Sequence, residues 1–487
     1  MASIIIWFEA QQRRRLALLA LLVLLAAVVR LFRIEHPVLW QDEIFTWVYT
    51  RETYAHHFAL DRTTDVHPPL FTVALKAWIS IFGESRAAMR TLPALFGALS
   101  VPVIYLIGRN WFGLSVAILA CIVFAFHPLN VHYTREIRFY GAVAFAMLWA
   151  SYFFLELIRQ REMPARRMLL CSVGFSLSLA LSFHLQYVSL LFIALFGITS
   201  VLLLIQNRDW RLFHHLAICI AVAVLLCVPQ SVHFLGYAMH EGAVRNAWIA
   251  PTNLSVFIEQ TQTAIGFPGW SAVGILGLYA FGLLRLRKRS PQLFTVMITF
   301  VVLGPLLFAL VGFFKPIYLA RSFLGALVLL PLLLAFAVTR LPSLARPVAL
   351  LLLAIMHVWA LRPDYPAHRL PNPGEAIAAA APQWSGGTVY YDEQLEKEMA
   401  AYRIPASGWH LLDRRDVPGD LDAIARHLAR CRAAAMSCGP TVLIFEARPP
   451  FDPALGRGWN GMVEPLSRIS PVLSDRTAAY YRFVVFR

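Results

Sequence analysis

HPPLFTVALKAWISIF, residues 67–82, is the stretch whose reading sets the topology of this 487-residue chain. It is moderately apolar, opens with Pro68-Pro69 and carries Lys76 in its middle. Read as a span, it reverses the sidedness of everything downstream. Read as an amphipathic helix lying in the bilayer interface, it does not. Two basic segments arbitrate, RQREMPARR at 159–167 and RLRKR at 285–289. A spanning 67–82 would put both outside, against the tendency of Lys and Arg to stay on the cytoplasmic side, and an interfacial one leaves both inside. The interfacial reading is therefore adopted.

Working back from this stretch, Arg13, Arg14 and Arg15 precede an unbroken apolar run at 16–29 that continues to Phe32. A signal peptide has a similar beginning, but no small-residue cleavage site followed by polar sequence is present. The run reads as a retained first helix with its N-terminus in the cytoplasm. The first outer loop then covers about 35–88 and contains Leu39-Trp40-Gln41-Asp42-Glu43, two adjacent carboxylates among aromatic neighbours.

Working forward, apolar runs of span length fall near 89–108, 114–131, 140–158, 168–186, 187–205, 215–235, 269–285, 293–313, 319–339 and 346–362. With the first helix they make eleven, which places the C-terminus outside. Composition agrees with a mainly α, polytopic membrane protein: 59% of residues are hydrophobic, 15% are charged, and mean hydropathy is +0.61. The net charge of +15 sits in short clusters between apolar runs. It reports membrane topology and points away from a nucleic-acid partner.

Beyond Arg362 a Pro-rich stretch at 364–373 reads as a linker, which divides the chain into a transmembrane domain, 1–362, and a C-terminal domain, 363–487. Short apolar runs at 388–391, 441–445 and 482–486 read as strands, and 395–402 and 420–435 have helical spacing. A small α/β extracytoplasmic domain is expected, acting as a rigid cap or acceptor-docking module. Cys431 and Cys438 could pair there if the compartment is oxidising, whereas Cys121, Cys171, Cys219 and Cys227 lie in apolar runs as packing residues. No metal-ligand spacing of the CxxC kind appears.

Three groups of residues fall on the outer face: Asp42 and Glu43 with His67 and Lys76; Tyr133-Thr134-Arg135-Glu136-Ile137-Arg138-Phe139-Tyr140; and Lys315-Pro316-Ile317-Tyr318-Leu319-Ala320-Arg321. Singly, each cation reads as a snorkelling side chain and each tyrosine as an interface anchor. Together, cations gathered on the side that bears an acidic pair would suit an anionic lipid head group.

These residues resemble the GT-C class of membrane glycosyltransferases, specifically bacterial relatives of protein O-mannosyltransferases and of the aminoarabinose transferase that modifies lipid A. The likeness lies in Trp40-x-Asp42-Glu43, His67-Pro68-Pro69-Leu70, Phe82-Gly83, Arg90-Thr91-Leu92-Pro93-Ala94-Leu95-Phe96-Gly97 and the 133–140 stretch. It covers the first 160 residues, with a weaker echo at 318–331. The resemblance implies inverting transfer of a monosaccharide from a polyprenyl-phosphate sugar to an acceptor hydroxyl on an envelope glycan, lipid or protein, at the outer face of a bacterial inner membrane. In that chemistry a hydroxyl nucleophile needs a carboxylate base. Asp42 is the candidate, with Glu43 orienting it or binding substrate. The phosphate leaving group needs charge stabilisation, for which Lys76, Arg135, Arg138, Lys315 and Arg321 are the candidates. His67, Glu136, Tyr140, His184, Tyr187 and Tyr318 are candidate substrate contacts, although a lone His such as His184 is more often a hydrogen-bonded interface residue. Some members of the class use a divalent metal; here the protein's own cations make one unnecessary, and a metal stays open as the alternative. A secondary transporter or flippase of a lipid-linked glycan is the competing reading. It should carry its charges near the bilayer midplane on broken helices, whereas these cluster at helix ends.

Overall fold

A computed structural model describes residues 2–59, 67–159, 163–236, 251–267, 269–315 and 317–365. In the C-terminal part it describes 387–392, 409–412, 417–433, 440–446, 472–478 and 481–486, with a few single positions between. The expected helix at 395–402 falls almost wholly outside the described residues. Cys438, and with it the Cys431 pairing, also lies outside them. Contacts divide the chain into two compact units: residues 1–34 with 52–365, and residues 35–51 with 366–487.

The first unit is helical. It begins with α1 (Ala2–Leu31), whose apolar body carries Arg30 at its end. The short α3 (Tyr54–Phe58) and α4 (Leu70–Phe82) follow, α2 being part of the second unit. Thirteen residues at about 1.5 Å each give α4 roughly 20 Å, short of the ~30 Å hydrocarbon core. Length therefore favours the interfacial reading of 67–82. The double proline sets its start, and Gly83, at φ +83°, ends it in a conformation that L side chains rarely adopt.

Next come α5 (Arg86–Trp111), α6 (Leu114–Phe126), α7 (Pro128–Thr134), α8 (Tyr140–Arg159), α9 (Ala165–Leu185), α10 (Leu190–Asn207) and α11 (Trp210–Gly236). The Ser85 hydroxyl caps α5 by accepting from the Ala88 amide at 3.1 Å. Gly113, at φ +106°, makes the turn into α6. Pro128 removes an amide and bends α7 away from α6 by 57°. The remaining helices are α12 (Leu254–Ile265), α13 (Trp270–Arg289), α14 (Pro291–Gly312, with a π-helical turn at Thr299–Leu303), α15 (Leu330–Thr339) and α16 (Ala345–Ala360).

Among the described residues, seven helices are long and apolar enough to cross a membrane, or nine if each of two bent pairs is one span. The eleven expected spans thus become seven to nine: the run at 269–285 passes only as part of a bent pair with α12, and three other runs differ as well. The run at 114–131 is two helices with a bend. The expected 319–339 span becomes the shorter apolar stretch Leu324–Thr339, because 319–323 is a turn. The first helix carries Arg13, Arg14, Arg15 and Arg30 within its length. The expected outer loop 236–268 also contains a helix, α12, started by the Asn253 side chain accepting from the Val256 amide. Lipid-facing sides stay apolar, as at Leu225 (68% exposed) and Trp270 (91%).

The second unit contains α2 (Gln41–Tyr49) and a five-stranded sheet of order β2-β1-β3-β5-β4. Its strands are β1 (Thr388–Asp392), β2 (His410–Leu412), β3 (Thr441–Glu446), β4 (Val472–Ala478) and β5 (Tyr481–Phe486). β1 runs parallel to β2 and β3, while β5 is antiparallel to β3 and β4. Helix α17 (Val417–Ala433) connects β2 to β3 and buries Ile424 and Leu428 with Leu412, Leu443, Val484 and Phe486. β1, β3 and β5 occupy the three apolar runs named from sequence; β2 and β4 are too short or too polar to show the same pattern.

Candidate active site

Residues 134–140 join α7 to α8, and every one of them is buried. Arg135 is 5% exposed, Glu136 8% and Arg138 6%. Snorkelling requires the charged head to reach water, so that reading fails for this stretch. Buried charges must instead be partnered.

Arg138 is partnered across the fold. Its Nη2 donates to His67 Nε2 at 2.7 Å. A guanidinium can only donate, so Nε2 must offer its lone pair and the imidazole carries its proton on Nδ1. The His67 ring packs 4.7 Å from Phe139. Arg138 also lies over two rings, 4.9 Å from the centroid of Phe139 and 5.9 Å from that of Tyr140. Arg321 approaches the same Tyr140 ring at 5.9 Å, so the two guanidinium carbons lie within twice that distance of each other. Tyr140 is 4% exposed and also packs edge-on against Tyr133 at 5.0 Å. The fold thus brings His67, Arg138, Tyr140 and Arg321 together from three separate segments. Lys76, on α4, holds its ammonium 5.3 Å from the Tyr54 ring.

Arg135 has other work. Its Nη1 donates to the carbonyls of Arg30 and Phe32, both at 2.8 Å, and to that of Val29 at 3.4 Å. Its Nη2 donates to the carbonyls of Arg33 at 3.2 Å and Asp364 at 3.1 Å. The last carbonyls of α1 have no partners within the helix, and Arg135 supplies them. Burial pulls its basicity below the ordinary value, against the opposing pull of Tyr365 and Asp364, and an arginine stays charged regardless. Both terminal nitrogens are engaged, which makes Arg135 a clamp on the α1 end and leaves no terminal N–H aimed at a phosphate. Arg90, 2% exposed, adds a bond to the Ile34 carbonyl at 2.9 Å.

Glu136 lies 3.1 Å from His132 Nε2, and the other ring nitrogen of His132 lies 2.7 Å from Asp364 Oδ1. For both contacts to be hydrogen bonds the ring must hold two protons, giving an imidazolium between two carboxylates. Tyr318 is fully buried, stacked between Phe257 at 5.7 Å and Phe323 at 5.0 Å, with its hydroxyl 3.2 Å from Thr261 Oγ1. That is a packing position. His184 Nε2 meets the Leu226 carbonyl at 3.1 Å, and the Tyr187 hydroxyl accepts from Gln230 at 2.8 Å. Both tie the α9–α10 junction to α11, as an interface histidine ordinarily does. Lys315 is exposed.

Within the second unit, Asp42 and Glu43 stand in the first turn of α2, where the helix dipole favours negative charge. Glu43 is 1% exposed and accepts from the Trp40 amide at 3.2 Å, closing the helix start. Asp42 is half-buried, and its backbone carbonyl accepts from the Thr46 hydroxyl at 2.9 Å. Of the pair, Asp42 is the carboxylate with access to solvent. Among the described residues no cluster of His, Cys, Asp and Glu has the arrangement of a metal site.

Sequence reasoning missed Arg30. It is fully buried, with Nε donating to Thr134 Oγ1 at 2.9 Å and Nη1 to the carbonyls of Ala26 at 3.1 Å and Ala125 at 3.3 Å. The signal was available, since an arginine inside an otherwise apolar run marks a partner elsewhere.

Residues 66–233 match the family model of the dolichyl-phosphate-mannose-protein mannosyltransferases, and this segment includes His67, Arg138 and Tyr140. The whole chain superposes on the crystal structure of ArnT from Cupriavidus metallidurans in the apo state with a TM-score of 0.63 and 14% identity, covering 98% of both chains. The chain thus has the fold of ArnT, and its segment 66–233 is similar to the mannosyltransferase family. ArnT bound to undecaprenyl phosphate matches this chain at a TM-score of 0.60 and 15% identity, covering 96% of this chain and 97% of that one. The archaeal oligosaccharyltransferase AglB from Archaeoglobus fulgidus, in complex with an inhibitory peptide and a dolichol-phosphate, matches at 0.57 and 13%, covering 90% of this chain and 70% of that one. No curated protein matches the chain in sequence.

Proposed function

We propose that this chain is a GT-C glycosyltransferase that moves one monosaccharide, with inversion, from a polyprenyl-phosphate donor to a hydroxyl of a cell-envelope acceptor at the outer face of the bacterial inner membrane. The observation that carries the reading is the meeting of Arg138 and Arg321 at the Tyr140 ring, with His67 on Arg138. Two guanidinium groups beside a buried aromatic wall suit a phosphate that gains negative charge as the glycosidic bond breaks. That the ArnT and AglB structures hold undecaprenyl phosphate and dolichol-phosphate supports a donor of this chemistry.

Asp42 is assigned as the base. It takes the acceptor proton as the hydroxyl oxygen attacks the anomeric carbon, while the bond to the phosphate oxygen breaks on the opposite side of the sugar. Inversion needs this single displacement and one base. Glu43, held at the helix start, fixes the turn that presents Asp42. Lys76 is assigned to the donor phosphate and Glu136 to sugar hydroxyls.

The test is to reconstitute the purified chain in vesicles with candidate polyprenyl-phosphate sugars and envelope acceptors, and to read the products by mass spectrometry and anomeric proton couplings. One released polyprenyl phosphate per new glycosidic bond, of inverted configuration, is expected. Movement of the lipid-linked sugar across sealed vesicles without a new bond would instead mark a transporter.

A further inference from the structure

A second concentration of positive charge lies apart from the residues gathered at Tyr140. Arg321 and Arg340 stand at opposite ends of the apolar stretch Leu324–Thr339, one before it and one after it. At the Arg340 end, a cavity of 420 Å³ is lined by Arg285, Lys288, Arg289, Phe336 and Arg340. Four of its five lining residues are cations, contributed by the last turns of α13 and the residue after α15. Phe336, 1% exposed, forms the floor, and the guanidinium carbons of Arg289 and Arg340 stand 5.7 and 5.2 Å from its ring centroid. Among the described residues, no carboxylate pairs with any of the four.

The orientation preference of basic residues explains why such charges sit on one side of a membrane. It does not explain why two of them, Arg289 and Arg340, lean on one aromatic ring while Arg285 and Lys288 line the same exposed cavity, among described residues that pair no carboxylate with any of the four. The cavity falls in the size range of small-molecule pockets. Apolar side chains beside it in the sequence are bare: Leu284 is 64% exposed and Leu344 87%. An anionic head between the cations with hydrocarbon along its flank is the description of a phospholipid. We propose that this cavity binds the phosphate head group of an anionic phospholipid.

The experiment uses the full chain, purified and delipidated in a neutral detergent, with lipid retention read by native mass spectrometry and thermal unfolding read in parallel. Phosphatidylglycerol is expected to be retained and to raise the melting temperature, while phosphatidylcholine and inorganic phosphate at the same concentration are not. Arg289→Gln combined with Arg340→Gln should weaken phosphatidylglycerol binding by about 30-fold, at roughly 1 kcal/mol per basic group near an anionic surface. Equal stabilisation by inorganic phosphate, or unchanged retention in the double variant, would overturn the proposal. If the double variant does not fold, the wild-type chain decides: retention should fall as salt rises from 0.05 to 0.5 M, and retention indifferent to salt and head-group charge would overturn it equally.

Discussion

Arg138 donates to Nε2 of His67 at 2.7 Å, joining the start of α4 to the loop that enters α8. The bond fixes two things at once, the aim of a buried guanidinium and the tautomer of the imidazole. A hydrogen bond to a charged group contributes about 1.5–3 kcal/mol, so His67→Ala should lower kcat/KM for the lipid-linked donor by roughly 10- to 100-fold. His67→Gln, which can still offer an oxygen to Arg138, should recover part of the loss. Equal impairment of both variants would show that the ring serves the site in some other way.

The base assignment makes a sharper demand. Asp42→Asn keeps the size and polarity of the side chain but cannot take a proton, and general-base catalysis contributes roughly 10²- to 10⁴-fold. The variant should lose at least ~100-fold in kcat while binding donor as before, measured by turnover and by direct binding of the polyprenyl-phosphate sugar. Glu43→Gln should behave differently, because the Glu43 side chain accepts the Trp40 amide at the start of α2. Its main effect should be a lower melting temperature. Turnover by Asp42→Asn near the wild-type rate would end the assignment.

Arg135 and Arg138 are three residues apart, equally buried and chemically identical, yet the structure gives them separate duties. Arg135→Leu should strip a partner from the carbonyls of Arg30, Phe32, Arg33 and Asp364, and leave that of the fully buried Arg30 without water to replace it. Unsatisfied buried groups cost about 1–3 kcal/mol each, so loss of folded protein in detergent is expected. Arg138→Lys should fold normally and fail in donor use, because an ammonium cannot reproduce a planar fork. Size-exclusion profiles and donor kinetics on the two variants would separate the roles, and matching behaviour would refute the division.

That division marks the limit of what the sequence reveals. The charged run at 135–138 was visible, and so was its place beside an apolar helix. Burial was not, because snorkelling and a buried clamp have the same local pattern and differ only in which carbonyls lie opposite. Those carbonyls belong to residues 29–33 and 364, more than 100 positions away in either direction. Long apolar runs revealed most helices, since hydrocarbon tolerates nothing else. They failed where a break was short: Pro128 bends one run, and the turn at 319–323 shortens another. Beside Lys315 and Arg321 in sequence, Tyr318 looks like a substrate contact, whereas its ring is a layer of a Phe257–Tyr318–Phe323 stack.

Gly97 offers a test of the fold that does not depend on the reaction. A Cβ added there would overlap the Arg30 guanidinium and stand 2.9 Å from Thr134 Cβ. Arg30 cannot swing aside, because it is bonded to Thr134, Ala26 and Ala125. Overpacking of this kind costs about 1–3 kcal/mol, more than the ~1 kcal/mol that alanine gains over glycine inside a helix. Gly97→Ala should therefore melt several degrees lower in detergent. Gly274, on α13, supplies the control, since nothing lies within 4 Å of a Cβ built there. Gly274→Ala should be neutral or slightly stabilising. If the two variants melt alike, Arg30 does not sit where the structure puts it, and the clamp at the end of α1 loses its inner support.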